Sequence, residues 1–209
     1  AMRALGIRRL DVLMISHGHT DHIGGARTIN AAFPGAMTWG GHETSAVTQN
    51  ACRPGLSWSW DGVRFSVLHP AEKFRGGTND GSCVLLVEGP GGRVLLTGDI
   101  EAGGERALLD AIPRIPVDVV IAPHHGSKTS SGPALVVATR PAWVVFSTNW
   151  RNRWGFPAST VVERWQAAGA VALSTERHGE IVIGFPAGGP SRPVLRRQAA
   201  CRAWLHCTH

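Results

Sequence analysis

The unbroken apolar run Val12-Leu13-Met14-Ile15 predicts a buried strand over 11–15, entered from the end of a helix over 3–9. Further on, the spacing predicts a helix over 23–32 that stops at Pro34-Gly35, a short strand over 37–39 and a helix from about Glu43. Residues 58–67 alternate apolar and polar side chains about Asp61-Gly62, the dipeptide of a tight hairpin turn. A second hairpin, 83–87 with 93–96, turns through Gly89-Pro90-Gly91-Gly92. The rhythm then becomes helix, strand, helix: a helix over 105–111, a buried strand over 117–122, a helix over 133–139, a strand over 143–146 and a helix over 158–168. Segments 171–173 and 180–183 read as a closing hairpin. The expected organisation is one domain over 1–185 and a weakly ordered tail over 186–209, with no internal repeat.

At 209 residues with 43% hydrophobic content the chain can bury one proper core, which excludes a disordered or fibrous protein. No apolar run approaches the roughly 20 residues that span a bilayer. The opening Ala1-Met2-Arg3-Ala4-Leu5-Gly6 lacks the apolar stretch of a signal peptide. The net charge of +6 comes from scattered arginines and favours a polyanionic partner. Of the four cysteines, none forms a Cys-x-x-Cys pair, which argues against a zinc knuckle. Cys83, inside an apolar segment, is expected to be a small core residue; Cys201 and Cys207 lie in the tail.

Candidate chemistry concentrates where strands end. Ser16-His17-Gly18-His19-Thr20-Asp21-His22 follows the first strand, and extended residues two apart share a side, so His17 and His19 can face one metal while Asp21 and His22 face a neighbouring position. Imidazole and carboxylate suit zinc, manganese or iron, and two ions about 3.5–4 Å apart can activate water and neutralise a phosphate or acyl oxyanion. Three more strand exits carry His69, Asp99 and the pair His124-His125. Asp99 is the natural bridging carboxylate, and one of His124 and His125 is expected to ligate while the other supports it. His69, followed by Pro70, reads equally as a ligand or a polar strand end. Lys128, Thr129, Ser130 and Ser131 are candidate phosphate contacts. Trp150, Arg151, Asn152, Arg153 and Trp154 interleave cations with rings, as single-strand binders do, although packing of the tryptophans in the core is the plain alternative.

With those residues in view, the chain resembles the metallo-β-lactamase superfamily, through His17-x-His19-x-Asp21-His22, Thr97-Gly98-Asp99 and the later histidine pair. More narrowly it resembles the C-terminal domain of the ComEC family of DNA-uptake channel proteins, through Trp58-Ser59-Trp60-Asp61-Gly62-Val63-Arg64-Phe65, Leu68-His69-Pro70, Asn79-Asp80-Gly81-Ser82, Leu96 to Glu101, and Pro123-His124-His125-Gly126-Ser127-Lys128. The resemblance implies an α/β fold, an αββα sandwich holding one or two divalent ions. It further implies attachment to a transmembrane channel region of the same full-length protein, at the extracytoplasmic face of the inner membrane. Relatives start with additional strands and a Gly-Asp segment, so the chain is expected to be an N-terminally truncated form. Two further departures are His19, where the family often has Asp, and Phe156, where it typically has His.

The leading expectation is therefore a metal-dependent phosphodiesterase acting on DNA, single-stranded by preference, with zinc or manganese as cofactor. Asp21 or Asp99 would orient the attacking water, and Lys128, Ser130, Arg151, Asn152, Arg153 and Trp154 would hold the strand. Competing expectations are a hydrolase of small esters, lactones or phosphoesters, and a DNA-binding module without turnover.

Overall fold

The computed structural model describes residues 6–71, 74, 76–112 and 114–199. Among these residues the strands form three sheets. A small parallel sheet joins β1 (Val12–Ile15), β2 (Met37–Gly40) and β3 (Asn50–Ala51) in that order. The main sheet has seven strands: β4 (Ser57–Trp60), β5 (Val63–His69), β6 (Val84–Gly89), β7 (Gly92–Leu96), β8 (Val119–Ile121), β9 (Trp143–Phe146) and β10 (Val171–Ser174), with sequence neighbours adjacent throughout. The third pairs β11 (Ile181–Val182) with β12 (Val194–Leu195). The helices are α1 (Thr20–Ile23), α2 (Ala26–Ala32), α3 (Ala102–Ala111), α4 (Pro133–Thr139), α5 (Ser159–Ala167), α6 (Thr175–His178) and α7 (Arg196–Ala199).

The continuous apolar runs of the main sheet are explained by burial on both faces. In β6, Val84 and Leu86 pack with Leu108, Leu135, Val136, Val161 and Trp165 of the helices, while Leu85 and Val87 point the other way, onto Met14 and Trp39 of the small sheet. Strands β8 and β9 repeat the division: Val120, Val144 and Phe146 meet the helices, and Val119, Ile121 and Val145 meet Ile181, Phe185 and Leu195. The period of two thus sorts one strand into two cores.

The hairpin at Asp61-Gly62 forms as the sequence predicts, with both residues at positive φ (49° and 79°). Several expectations change. Residues 6–9 are a turn and irregular chain, not a helix, and 1–5 lie outside the described residues. The expected helix at Glu43 is a string of turns: Glu43 sits at φ 60°, and Thr44 Oγ1 donates to the Gly41 carbonyl at 2.8 Å, a local bond that competes with helical pairing. The 23–32 helix divides at Gly24-Gly25 into α1 and α2. The expected closing hairpin does not form: the α5 crossover returns β10 parallel to β9, leaving β11 to pair with β12 from the segment expected to be weakly ordered. Cys83 is not a free core thiol but is disulfide-bonded to Cys52, with Cα atoms 5.8 Å apart. Cys201 and Cys207 fall outside the described residues. Among the described residues no helix is long and apolar enough to cross a membrane.

The disulfide links positions 31 apart in sequence and ties the segment after β3 to the start of β6. Closing such a loop is worth about 3–4 kcal/mol by chain entropy. Thermal unfolding of the Cys52→Ala/Cys83→Ala protein is expected roughly 10 °C below that of the oxidised protein; equal melting temperatures would show that the bond contributes nothing.

Candidate metal centre

Strand exits from both sheets bring the candidate residues together. β1 delivers His17 through α1 at one sheet, β7 delivers Asp99, and a turn after β8, Pro123–Gly126, delivers the histidine pair. Ligand atoms of Asp21, His22, Asp99 and His125 all lie within 4.8 Å of one another. Asp99 Oδ2 is the centre of the group: His22 Nε2 lies 3.2 Å away, His125 Nε2 3.5 Å and His17 Nε2 4.0 Å. Asp21 Oδ2 completes it, 3.6 Å from His22 Nε2 and 3.5 Å from His125 Nε2.

The hydrogen bonds of the imidazoles decide what this geometry suits. His22 Nδ1 lies 2.8 Å from Ser16 Oγ, His17 Nδ1 3.1 Å from Ser16 Oγ and 3.3 Å from Ser82 Oγ, and His125 Nδ1 2.8 Å from the Ser147 carbonyl. With Nδ1–H donating to these oxygens, every Nε2 presents a lone pair. The Nε2 atoms of His17, His22 and His125 are buried and have no hydrogen-bond partner among the described residues, each a cost of about 1–3 kcal/mol if left so. With its proton on Nδ1, His22 Nε2 faces Asp99 Oδ2 at 3.2 Å as a lone pair and donates no hydrogen bond to it. Three unpartnered lone pairs facing two carboxylates form a donor set that fits a divalent cation.

Ionisation follows the same geometry. Burial first, then the neighbouring His22, push His17 down to about 4. Burial works against charging His22 as well, but the Asp99 carboxylate prevails and raises it. Burial also opposes the Asp99 carboxylate, yet the facing His22, His125 and His17 hold it below the usual range.

Other candidates have other uses. His19 is exposed, its ring 4.7 Å from that of His17, at the outer side of the cluster. His124 turns away, Nδ1 2.9 Å from Glu101 Oε1. His69 is buried with Nε2 2.7 Å from the Asp80 carbonyl, outside the cluster. Ser130 is buried and its hydroxyl donates to Pro123 O at 2.8 Å, bracing the turn below the histidines, whereas Lys128 is exposed. Asn152 closes its own loop, exchanging two 2.7 Å bonds with the Phe156 backbone. Trp150 and Trp154 are not core residues: they are 57% and 63% exposed.

Sequence reading missed the supports. Ser16 and Ser82 orient two imidazoles, and Ser82 Oγ also accepts from Asp99 N at 3.0 Å. Gly98, at φ +56°, sits where a Cβ would meet Ser82 at 2.7 Å and Ser16 at 2.9 Å, so both serines can close on the site only past a glycine. Asp80 Oδ1 accepts from the backbone of Glu101 and Gly104 at 2.7 and 2.8 Å, fixing the start of α3. The only hint in the sequence is that Ser16 abuts the histidine loop and Ser82 closes Asn79-Asp80-Gly81-Ser82.

A family model, the metallo-beta-lactamase superfamily, matches residues 1–148. The chain belongs to this superfamily. Solved structures agree on the fold: Tm1679, a metal-dependent hydrolase of the beta-lactamase superfamily, superposes with a TM-score of 0.52 at 17% identity, over 83% of this chain and 79% of that one. CmlA, a diiron beta-hydroxylase from Streptomyces venezuelae, gives 0.52 at 17% identity, over 80% and 44%. In sequence the superfamily member described here is similar to Competence protein ComA of Neisseria gonorrhoeae (33% identical, 94% of this chain, 28% of the relative). It is also similar to Recombination protein 2 of Haemophilus influenzae (34%, 84%, 22%) and to ComE operon protein 3 of Bacillus subtilis (29%, 86%, 25%). The chain spans about a quarter of the length of these relatives.

His17 gives a pH signature to the metal-free protein. Its folded value of about 4 lies below the unfolded 6.5, so the unfolded chain binds more protons between them and stability falls as pH drops from 6.5 to 4. The loss approaches about 3 kcal/mol. His22, shifted upward, acts oppositely, stabilising below 6.5 and losing that contribution as pH rises through its folded value. Denaturant titrations across this range should show the acid loss in the wild type and its disappearance in His17→Gln; an unchanged acid limb would mean that His17 is not buried neutral.

Proposed function

We infer that the chain is a metal-dependent phosphodiesterase acting on DNA, within a larger protein that brings DNA into the cell. The observation that carries this reading is the continuity between the metal-type cluster and an exposed cationic aromatic loop. The His125 ring lies 6.4 Å from Phe156 at 22° between planes, Phe156 lies 6.4 Å from Trp154 at 13°, and the Arg153 guanidinium caps Trp154 at 4.4 Å from its centroid. A strand held on Trp154 by stacking, with Arg151 and Arg153 at its phosphates, has its backbone led toward the cluster.

Asp21, His22, Asp99 and His125 would hold one divalent ion, zinc or manganese; His17, whose Nε2 faces the same Asp99 oxygen at 4.0 Å, and His19 beside it would be the residues to hold a second. An ion bound there supplies Lewis-acid and water-activating chemistry. Asp99 is 5% exposed in its side chain and surrounded by imidazoles, so its role is to hold; Asp21, 64% exposed, is the carboxylate that water can reach and orients it by accepting its hydrogen bond. Lys128, at the rim of the same turn, would meet a phosphate oxygen as a mobile charge.

The whole-protein setting extends this reading. Two of the similar proteins are named for competence or its operon, which supports a role in DNA uptake beside a transmembrane channel region of the same full-length protein. The Cys52–Cys83 disulfide supports an oxidising location, on the extracytoplasmic face of the inner membrane.

Calorimetric titration with zinc should give at least a tenfold weaker affinity for Asp99→Ala and for His22→Ala, as loss of a direct ligand demands; unchanged binding would sink the ligand set. Single-stranded DNA should be cleaved in zinc or manganese. Binding should weaken steeply with salt, and Arg151→Ala/Arg153→Ala should flatten the log–log slope by about 1.4, at about 0.7 for each phosphate contact. A steep slope with no cleavage in any divalent metal would leave a binding module, and salt-independent turnover of small esters alone would make the chain a small-substrate hydrolase.

A further inference from the structure

The same loop carries a feature that cleavage does not require. The exposed Trp150 ring is approached by two guanidinium groups, Arg151 at 5.8 Å and Arg197 at 5.7 Å from its centroid. Arg197 belongs to α7, in the C-terminal segment, and its Nη1 donates to the carbonyls of Glu176 and Arg177. Backbone oxygens therefore fix this cation in place without neutralising it. Arg196 is paired with Glu180 at 2.9 Å, but among the described residues Arg151, Arg153, Arg177 and Arg197 meet no carboxylate within salt-bridge distance.

Two indoles more than half exposed on one hydrogen-bonded loop, with uncompensated arginines at their rings, suit a partner with flat faces and negative charge. Unpaired bases stack on the indoles and their phosphates meet the guanidiniums. An anionic membrane would also attract tryptophan and arginine. Here, however, both rings have guanidiniums at them, and one continues through Phe156 to His125 at the cluster, which points to the strand being processed.

We propose that Trp150, with Arg151 and Arg197 at its ring, is a second station for an unpaired nucleic-acid strand, so that the C-terminal segment is part of the substrate surface. This rests on the reading of the chain as a DNA phosphodiesterase. A strand lying across Trp150 and Trp154 enters the cluster with its bases stacked on protein; a duplex keeps its base faces covered and cannot use the station. Strand selection thus resides in the loop and the C-terminal turn, not at the metal.

The test is fluorescence anisotropy of a labelled oligothymidylate, alone and annealed to its complement, with the protein kept metal-free by chelator. The single strand should bind more tightly than the duplex. Trp150→Ala should weaken single-strand binding about tenfold and Trp150→Phe should restore most of it. Arg197→Ala should flatten the salt slope by about 0.7. Zinc content, measured on protein that has not met the chelator, should match the wild type in every variant, and each variant should melt cooperatively above the assay temperature. Wild-type affinity in Trp150→Ala and Arg197→Ala, equal binding of duplex, or a loss confined to phosphatidylglycerol vesicles would each overturn the proposal. Wild-type protein that shows this binding but cleaves no DNA in zinc or manganese would keep the station and remove the phosphodiesterase reading. Cleavage by the wild type together with unchanged binding in both variants would do the reverse.

Discussion

Three imidazole nitrogens buried at one point without hydrogen-bond partners, around a carboxylate that is itself buried, set the constraint that the surrounding structure serves. Each lone pair is aimed by what holds the opposite side of its ring: Ser16 for His22, Ser16 and Ser82 for His17, and the Ser147 carbonyl for His125. Because those supports come from β1, the approach to β6 and the end of β9, the orientation of the cluster depends on both sheets keeping their relative place. The Cys52–Cys83 bond and the Met14, Trp39, Leu85 packing between the sheets maintain that relation.

A neighbouring layer of polar anchors positions the backbone from which the side chains project. The Asp80 carboxylate receives the first amides of α3, and the buried Glu105 receives Ser131 N and, at 2.8 Å, Gly132 N at the approach to α4. Burial raises the Glu105 pKa, and the two amides offset part of that cost. The segment 123–131, which carries His125, is thus secured at its far end by α3, while Ser130 Oγ secures its near end through Pro123 O.

How far this could be read from the sequence depends on the range of the interaction concerned. An apolar run followed by His, Asp or Thr-Gly-Asp announces a strand and its exit, so the meeting of Asp21, His22 and Asp99 follows from local pattern and sheet topology. The choice within the histidine pair does not: His124 and His125 both sit at positive φ (45° and 55°), a turn that sends consecutive rings to different sides, one to Glu101 and the other to Asp99. His69 had the right chemistry at a strand end, but its nitrogen is taken by a carbonyl eleven residues away. The Cys52 pairing and the partner of β11 rest on contacts between distant positions, whereas residues 41–49 turn on local bonds such as Thr44 Oγ1 to the Gly41 carbonyl, which hydrophobic periodicity does not signal.

The order of strands has a consequence for how the centre comes into being. β4, β5, β6 and β7 follow one another as an antiparallel meander, in which tight turns close the β4–β5 and β6–β7 hairpins while residues 70–83 join β5 to β6; closing such hairpins incurs less loop entropy than the crossovers on either side. His17 and His22 arrive from β1 on one side of this meander and His125 from beyond β8 on the other. The cluster is therefore complete only where both flanks are docked on the meander, and a cation bound there would stabilise that docking by joining the two flanks directly.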